Sequence, residues 1–214
     1  MYYIGVDVGG TNLVAGLMNE DCEILDKASH PVDHSQTPEQ LCGEIVRLAK
    51  QVCQSGGVTE KEVRAVGIGL PGQVNNKTGI VVRTPNMPFQ NTPVRQLFQQ
   101  QWDMPVFLGN DADCAAIGEY RSGAAKGCSP AVTVTLGTGI GAGMVVDGKL
   151  FTGIGGSGME VWDTTYGYVQ FKLSKKVSSR ASRAAAIDKL EKLDDAKKIK
   201  VVMEHNGKIG RAHV

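Results

Sequence analysis

Net charge, aromatic residues and long apolar runs are all scarce in this 214-residue chain. The formal charge is +1 and aromatics make up 6%, so no global field points to nucleic acid or an anionic membrane as partner. No apolar run approaches the ~20 residues that span a bilayer. The opening MYYIGVDV also lacks the basic n-region of a secretory signal. A cytoplasmic chain with neither a nucleic-acid nor a membrane partner is the expectation. The five cysteines, Cys22, Cys42, Cys53, Cys114 and Cys128, are odd in number and form no C-x-x-C pair. That argues for reduced thiols over a disulfide framework, and no zinc site is detectable. The chain has no G-x-x-x-x-G-K-[S/T] either, which excludes a P-loop.

What is present is glycine, 27 residues of it, in a chain that is 42% hydrophobic and long enough for one large or two small domains. The first apolar runs, YYIGVDV and LVAGLM, are joined by G-G-T-N and read as a hairpin; CEILDKAS reads as a third strand. A helix is expected from TPEQLCGEIVRLAKQVCQSGG. There Thr37 can cap, Pro38 suits the first helical position, Gln40 completes a capping box and Gly56 can close the end. VRAVGIGL is then a buried strand, and the Asn- and Pro-rich stretch up to Pro93 is loop with a short strand at GIVV. A helix (VRQLFQQQW), a strand (PVFLGN) and a helix (DADCAAIGEYRSG) follow. From Ala131 three further strands are expected, with a hairpin turn at Asp147-Gly148. The order implies two α/β units meeting near Gly123.

G-x-G-x-x-G occurs twice, as GIGLPG (67–72) and GIGGSG (153–158). Neither opens a helix after a strand in the way a dinucleotide site needs. Two tighter turns are more informative. Gly9-Gly10-Thr11-Asn12 and Gly137-Thr138-Gly139 each join two strands. Glycine lets backbone N–H groups approach an anion, and threonine adds a hydroxyl donor. Either turn alone reads as a plain hairpin. Together, with Asp7 placed to hold Mg²⁺ ahead of the first, they read as phosphate cradles. Asn110-Asp111, where a strand meets a helix, is either an ordinary cap or a carboxylate poised to take a proton from a substrate hydroxyl.

Four segments in order, DVGGTN, GIGLPGQVNNKTGIVVRTPNMPF, NDADCAAIGEY and TLGTGIGAGMVVDGKLFTG, resemble the ROK family of sugar kinases and repressors, from about Tyr2 to Glu160. The resemblance implies an α/β, actin-like ATPase (RNase H-like) fold. Its first domain would occupy 1–122, and an incomplete second would begin at 123–160. It implies ATP-dependent phosphorylation of a hexose or N-acetylhexosamine, with ATP and Mg²⁺ as cofactors. Asp7, Gly9, Gly10, Thr11 and Asn12 would form the first phosphate loop, with Asp7 at the metal, and Gly137, Thr138 and Gly139 the second. Asn110 would bind sugar hydroxyls, Asp111 would be the general base, Gly72 and Asn86 would border the sugar, and Glu160 would contact it. Sugar and nucleotide are the implied partners, with a homodimer as the candidate assembly. A start on the first strand, without a helix-turn-helix, points away from a regulator.

After Glu160 the pattern stops. Trp162 and Asp163 stand where the family carries Gly and His, and the cysteine cluster and distal glycine-rich segment have no counterpart. Residues 161–214 form a basic tail, since 12 of the 23 Lys and Arg fall between Lys172 and Arg211. A helix over 182–198 and a hairpin around Asn206-Gly207 are expected in it. The abrupt change implies a frame change, a truncated gene or a fusion, and sets a second reading beside the kinase: an inactive relative that keeps part of the sugar and phosphate clefts.

Overall fold

Strand β1 (Tyr2–Val8) buries Ile4, Val6 and Val8 and turns Gly5 and Asp7 the other way, the two-residue alternation of a half-covered strand. Strand β2 (Asn12–Asn19) buries Leu13, Ala15 and Leu17 by the same rule and pairs antiparallel with β1. Strand β3 (Ile24–Pro31) continues the meander. A computed structural model describes residues 1–136, 140–152, 202–205 and 208–211. They fall into two compact units, Met1–Asp111 and Ala112–Val214.

Helix α1 (Pro38–Ser55) in the first unit starts as its sequence dictates. Thr37 Oγ1 accepts from the Gln40 amide at 3.3 Å, and Gln40 Oε1 accepts from the Thr37 amide at 2.9 Å. Leu41, Ile45, Leu48, Ala49 and Val52 form its buried face against β1, β2 and β3. Strand β4 (Val63–Leu70) then runs parallel to β1. The stretch after Gly72, expected as loop with one short strand at GIVV, is a small antiparallel sheet in which that strand is β6 (Ile80–Arg83), flanked by β5 (Gln73–Asn75) and β7 (Gln90–Thr92). The three-residue strands β5 (QVN) and β7 (QNT) are too short and polar to show an alternating pattern. Helix α2 (Val94–Gln99) leads to strand β8 (Val106–Asn110), parallel to β4. The main sheet has the order β3-β2-β1-β4-β8. One continuous core, including Phe89 and Phe98, joins it to α1, α2 and the small sheet.

The second unit begins inside helix α3 (Asp111–Ser122), eleven residues or so before the break near Gly123 that the sequence suggested. The reason is close packing. Strands β9 (Ala131–Leu136) and β10 (Ile140–Val146) pair antiparallel, and α3 lies directly on β10. A Cβ added to Gly143 would sit 2.6 Å from Ala116 Cβ and 2.8 Å from the Ala112 carbonyl oxygen. Strand β11 (Lys149–Leu150) returns through Asp147 (φ 48°) and Gly148 (φ 76°), the left-handed pair of the expected tight turn. Strands β12 (Val202–His205) and β13 (Lys208–Arg211) flank the expected Asn206-Gly207 turn, and β12 runs parallel to β9. The second sheet has the order β11-β10-β9-β12-β13, the same sequence of neighbours as the first. The helix expected over 182–198 lies outside the described residues. No helix among the described residues is long and apolar enough to cross a membrane.

Candidate functional site

The parallel strands β1, β4 and β8 end together. Asp7 pairs in register with Gly69, Gly69 with Gly109, and Leu70 with Asn110. At about 4.8 Å per strand, Asp7 stands roughly 10 Å across the sheet from the row that leads into Asn110 and Asp111. Open α/β sheets bind ligands outside the carboxyl ends of their strands. Of the candidate residues, Asp7, Asn110 and Asp111 lie at that end of the strands.

Beyond Asp7 the chain turns through Gly9-Gly10-Thr11, and the Gly9 amide donates to the Asn12 carbonyl at 3.0 Å. Asp7, Gly10, Thr11 and Asn12 are exposed, and a Cβ added to Gly10 would meet nothing within 4 Å. The surface over this turn is open.

Gly72 and Asn110 are brought together: Asn110 Nδ2 donates to the Gly72 carbonyl at 3.1 Å. Gly72 has φ +85°, and a Cβ there would fall 2.3 Å from the Arg83 carbonyl oxygen. Glycine is therefore required by both backbone angle and space. Asn86 is exposed on the loop between β6 and β7. Thr84 closes that loop from beneath, its amide donating to the Phe89 carbonyl at 3.2 Å and its hydroxyl to the Met87 carbonyl at 2.9 Å. Asp111 is exposed at the first position of α3, directly after Asn110. Gly137, Thr138, Gly139 and Glu160 lie outside the described residues.

Three contributors had no role in the sequence reading. Arg95 donates to three carbonyls, Val106 at 3.1 Å, Lys77 at 3.0 Å and Asn76 at 2.6 Å, and so binds the β5–β6 turn to β8. Thr84 and His34 hold the Asn86 loop. No local pattern announces any of them, because each partner is fixed by tertiary contact. Among the described residues no group of three or more His, Cys, Asp or Glu side chains converges as a metal site.

Comparison with known proteins bears on the whole segment. The model "ROK family" matches residues 3–170, ten residues beyond the point where the motifs fade. A second model, "Domain of unknown function (DUF4458)", matches residues 167–212, so the basic tail has a likeness of its own. Over 150 residues the chain is 37% identical to a glucokinase of Streptomyces coelicolor, covering 70% of this chain and 45% of that protein. It is 31% identical over 165 residues to the xylose repressor of Caldicellulosiruptor bescii, covering 77% and 41%. The crystal structure of a ROK family glucokinase from Streptomyces griseus, in complex with glucose and AMPPNP, superposes with a TM-score of 0.69 at 35% identity. The match covers 75% of this chain and 49% of that one. The chain spans about half the length of the relatives it matches, and its fold is that of the ROK actin-like ATPases.

Proposed function

The chain belongs to the ROK family, and on that premise we propose that it binds a hexose or N-acetylhexosamine and passes to it the γ-phosphoryl group of ATP. The observation that carries this is the joined edge of the first sheet, where Asp7, Gly72, Asn110 and Asp111 stand on neighbouring strand ends and Asn110 bonds Gly72. Asn110, Gly72 and Asn86 would hold the sugar. Asp111, at the start of α3, would accept the proton of the attacking hydroxyl. The turn 9–12 and the turn 137–139 would orient the phosphates, and Asp7 would hold Mg²⁺, whose charge would offset that of the phosphate oxygens. Glu160 would add a sugar contact. Catalysis here is positioning more than covalent chemistry. The reading implies a cytoplasmic enzyme of small molecules, with a homodimer as its candidate assembly.

A second reading has its own support. The chain spans about half of its relatives, and its last segment matches a different family model. In that reading the sheet edge binds sugar without transferring phosphate, a role compatible with a repressor among the relatives.

A coupled assay of ADP release over a panel of hexoses with Mg·ATP, paired with calorimetry of sugar binding, tests both. The kinase reading expects sugar-dependent ADP release that falls about 10²- to 10⁴-fold in Asp111→Asn, with sugar affinity kept. Sugar binding without ADP release favours the second reading. Neither binding nor release refutes both.

A further inference from the structure

The loop between β3 and α1, residues 32–36, touches both halves of the edge described above. At one end the Val32 amide donates to the Thr11 carbonyl at 2.8 Å, inside the first glycine turn. At the other, His34 Nδ1 lies 3.2 Å from the carbonyl oxygen of Asn86, fifty-two positions away in sequence. The loop between them is stiff. The Asp33 carboxylate accepts from the Ser35 hydroxyl at 2.6 Å and the Ser35 amide at 2.9 Å, and the Gln36 amide donates to the Asp33 carbonyl at 3.3 Å. This is an aspartate turn closed on its own backbone. Its Ser35 hydrogen bonds hold the Asp33 carboxyl below the usual aspartate value.

Val32 and Met87 anchor the two loops to the common core, but His34 and Asn86 are themselves exposed, so their contact is not a product of side-chain burial. The carbonyl can only accept, which requires the proton on Nδ1. Thr84 holds the Asn86 loop from within through Met87 and Phe89; His34 holds it from outside.

We propose that His34 is a positioning residue: it fixes the Asn86 loop against the glycine turn 9–12, so that the sugar-bordering and phosphate-facing segments hold one spacing. The proposal deepens the sugar-binding reading and rests on it for its second consequence only.

Two substitutions separate the hydrogen bond from the bulk of the ring. Asparagine places its Nδ2 close to where histidine carries Nδ1, and leucine fills the same space with a methyl group that donates nothing. Hydrogen exchange of the full, unliganded chain, read by mass spectrometry, reports the tether directly. His34→Leu should speed exchange across residues 84–89 by about threefold to tenfold, the range for one net hydrogen bond. His34→Asn should restore the wild-type rate, and α1 should exchange unchanged in both. Calorimetry with D-glucose and N-acetyl-D-glucosamine should show the same pattern in Kd for whichever sugar binds. Unchanged exchange over 84–89 in His34→Leu overturns the tether. Faster exchange with unaltered sugar affinity overturns its role in the site. A wild-type chain that binds neither sugar overturns the functional reading, while the exchange result still decides the tether.

Discussion

Replacing Gly72 by alanine should be among the most damaging single-methyl additions in the first unit. Two costs combine. An L-residue at φ +85° carries about 1–2 kcal/mol of left-handed strain. The new Cβ would also lie 2.3 Å from the Arg83 carbonyl oxygen and 3.1 Å from Thr84 Cα. Both are backbone atoms of or beside β6, so no side-chain rotation relieves the clash. Pushing that backbone aside costs about 1–3 kcal/mol by analogy with overpacked cores. The sum is about 2–5 kcal/mol, a large share of the roughly 5–15 kcal/mol that holds a domain folded. Trp102 is buried against Phe98, with ring centroids 6.0 Å apart, and makes a local reporter. In a Trp162→Phe background, urea unfolding followed by Trp102 fluorescence should show the midpoint of Gly72→Ala lowered by about 1–2.5 M, for a slope near 2 kcal/mol/M. Gly10→Ala is the control, since its Cβ meets nothing within 4 Å; its stability should stay within about 0.5 kcal/mol of wild type. Equal midpoints for Gly72→Ala and Gly10→Ala would refute the steric argument.

Burial pushes the Cys42 thiol up to about 12 and the Cys53 thiol up to about 11, so neither forms the reactive thiolate near neutrality. With Ellman's reagent at pH 8, exposed Cys22 and Cys114 should react first, and Cys42 and Cys53 only after urea unfolds the chain; fast modification of Cys42 in the native state would contradict its packing. Gly143→Ala would drive a methyl to 2.6 Å from Ala116 Cβ and 2.8 Å from the Ala112 carbonyl oxygen, displacing α3 from β10 at a cost of about 1–3 kcal/mol. If the kinase reading holds, turnover should fall more than sugar affinity, because Asp111 precedes Ala112. Ala116→Gly in the same chain should recover part of the loss.

The parts of the fold that were legible are those whose signals are local. The alternation in β1 and β2, the Thr37–Gln40 capping box and the Asp147-Gly148 turn each need only a few neighbouring residues to specify them. In the small sheet only β6 was legible, as GIVV; β5 and β7 escaped because three mostly polar residues show no period, and Asn76, Asn86 and the nearby prolines read as loop. The position of the sheet depends on Arg95, whose three carbonyl partners lie eleven to nineteen residues away. The candidate residues of the first glycine turn and of Asn110-Asp111 were marked by types that a plain core strand would not use. Their alignment across β1, β4 and β8 is a matter of register, which a single sequence does not display. His34 carried no mark at all, since an exposed histidine in a polar loop looks the same whether or not a carbonyl faces it.

The division into units bears on the proposed function in an uneven way. Every described residue assigned to sugar, to the first phosphate loop and to proton acceptance belongs to Met1–Asp111, which has its own continuous core. In the proposed reading, sugar affinity therefore draws mainly on contacts held by one unit, each net hydrogen bond contributing about 0.5–1.5 kcal/mol. Phosphoryl transfer is different in kind. In the proposed reading it requires the γ-phosphoryl group in line with the hydroxyl whose proton Asp111 accepts, at the start of α3. A misplacement of 1 Å can cost about 10²-fold in rate, whereas binding of the sugar alone carries no such demand. Gly143→Ala, which shifts the helix that begins with Asp111, should thus appear first in kcat, and changes around Gly72, Asn86 and His34 first in Kd. A chain in which both sets of substitutions altered the two quantities equally would argue against separating the groups that bind the sugar from the group that accepts its proton.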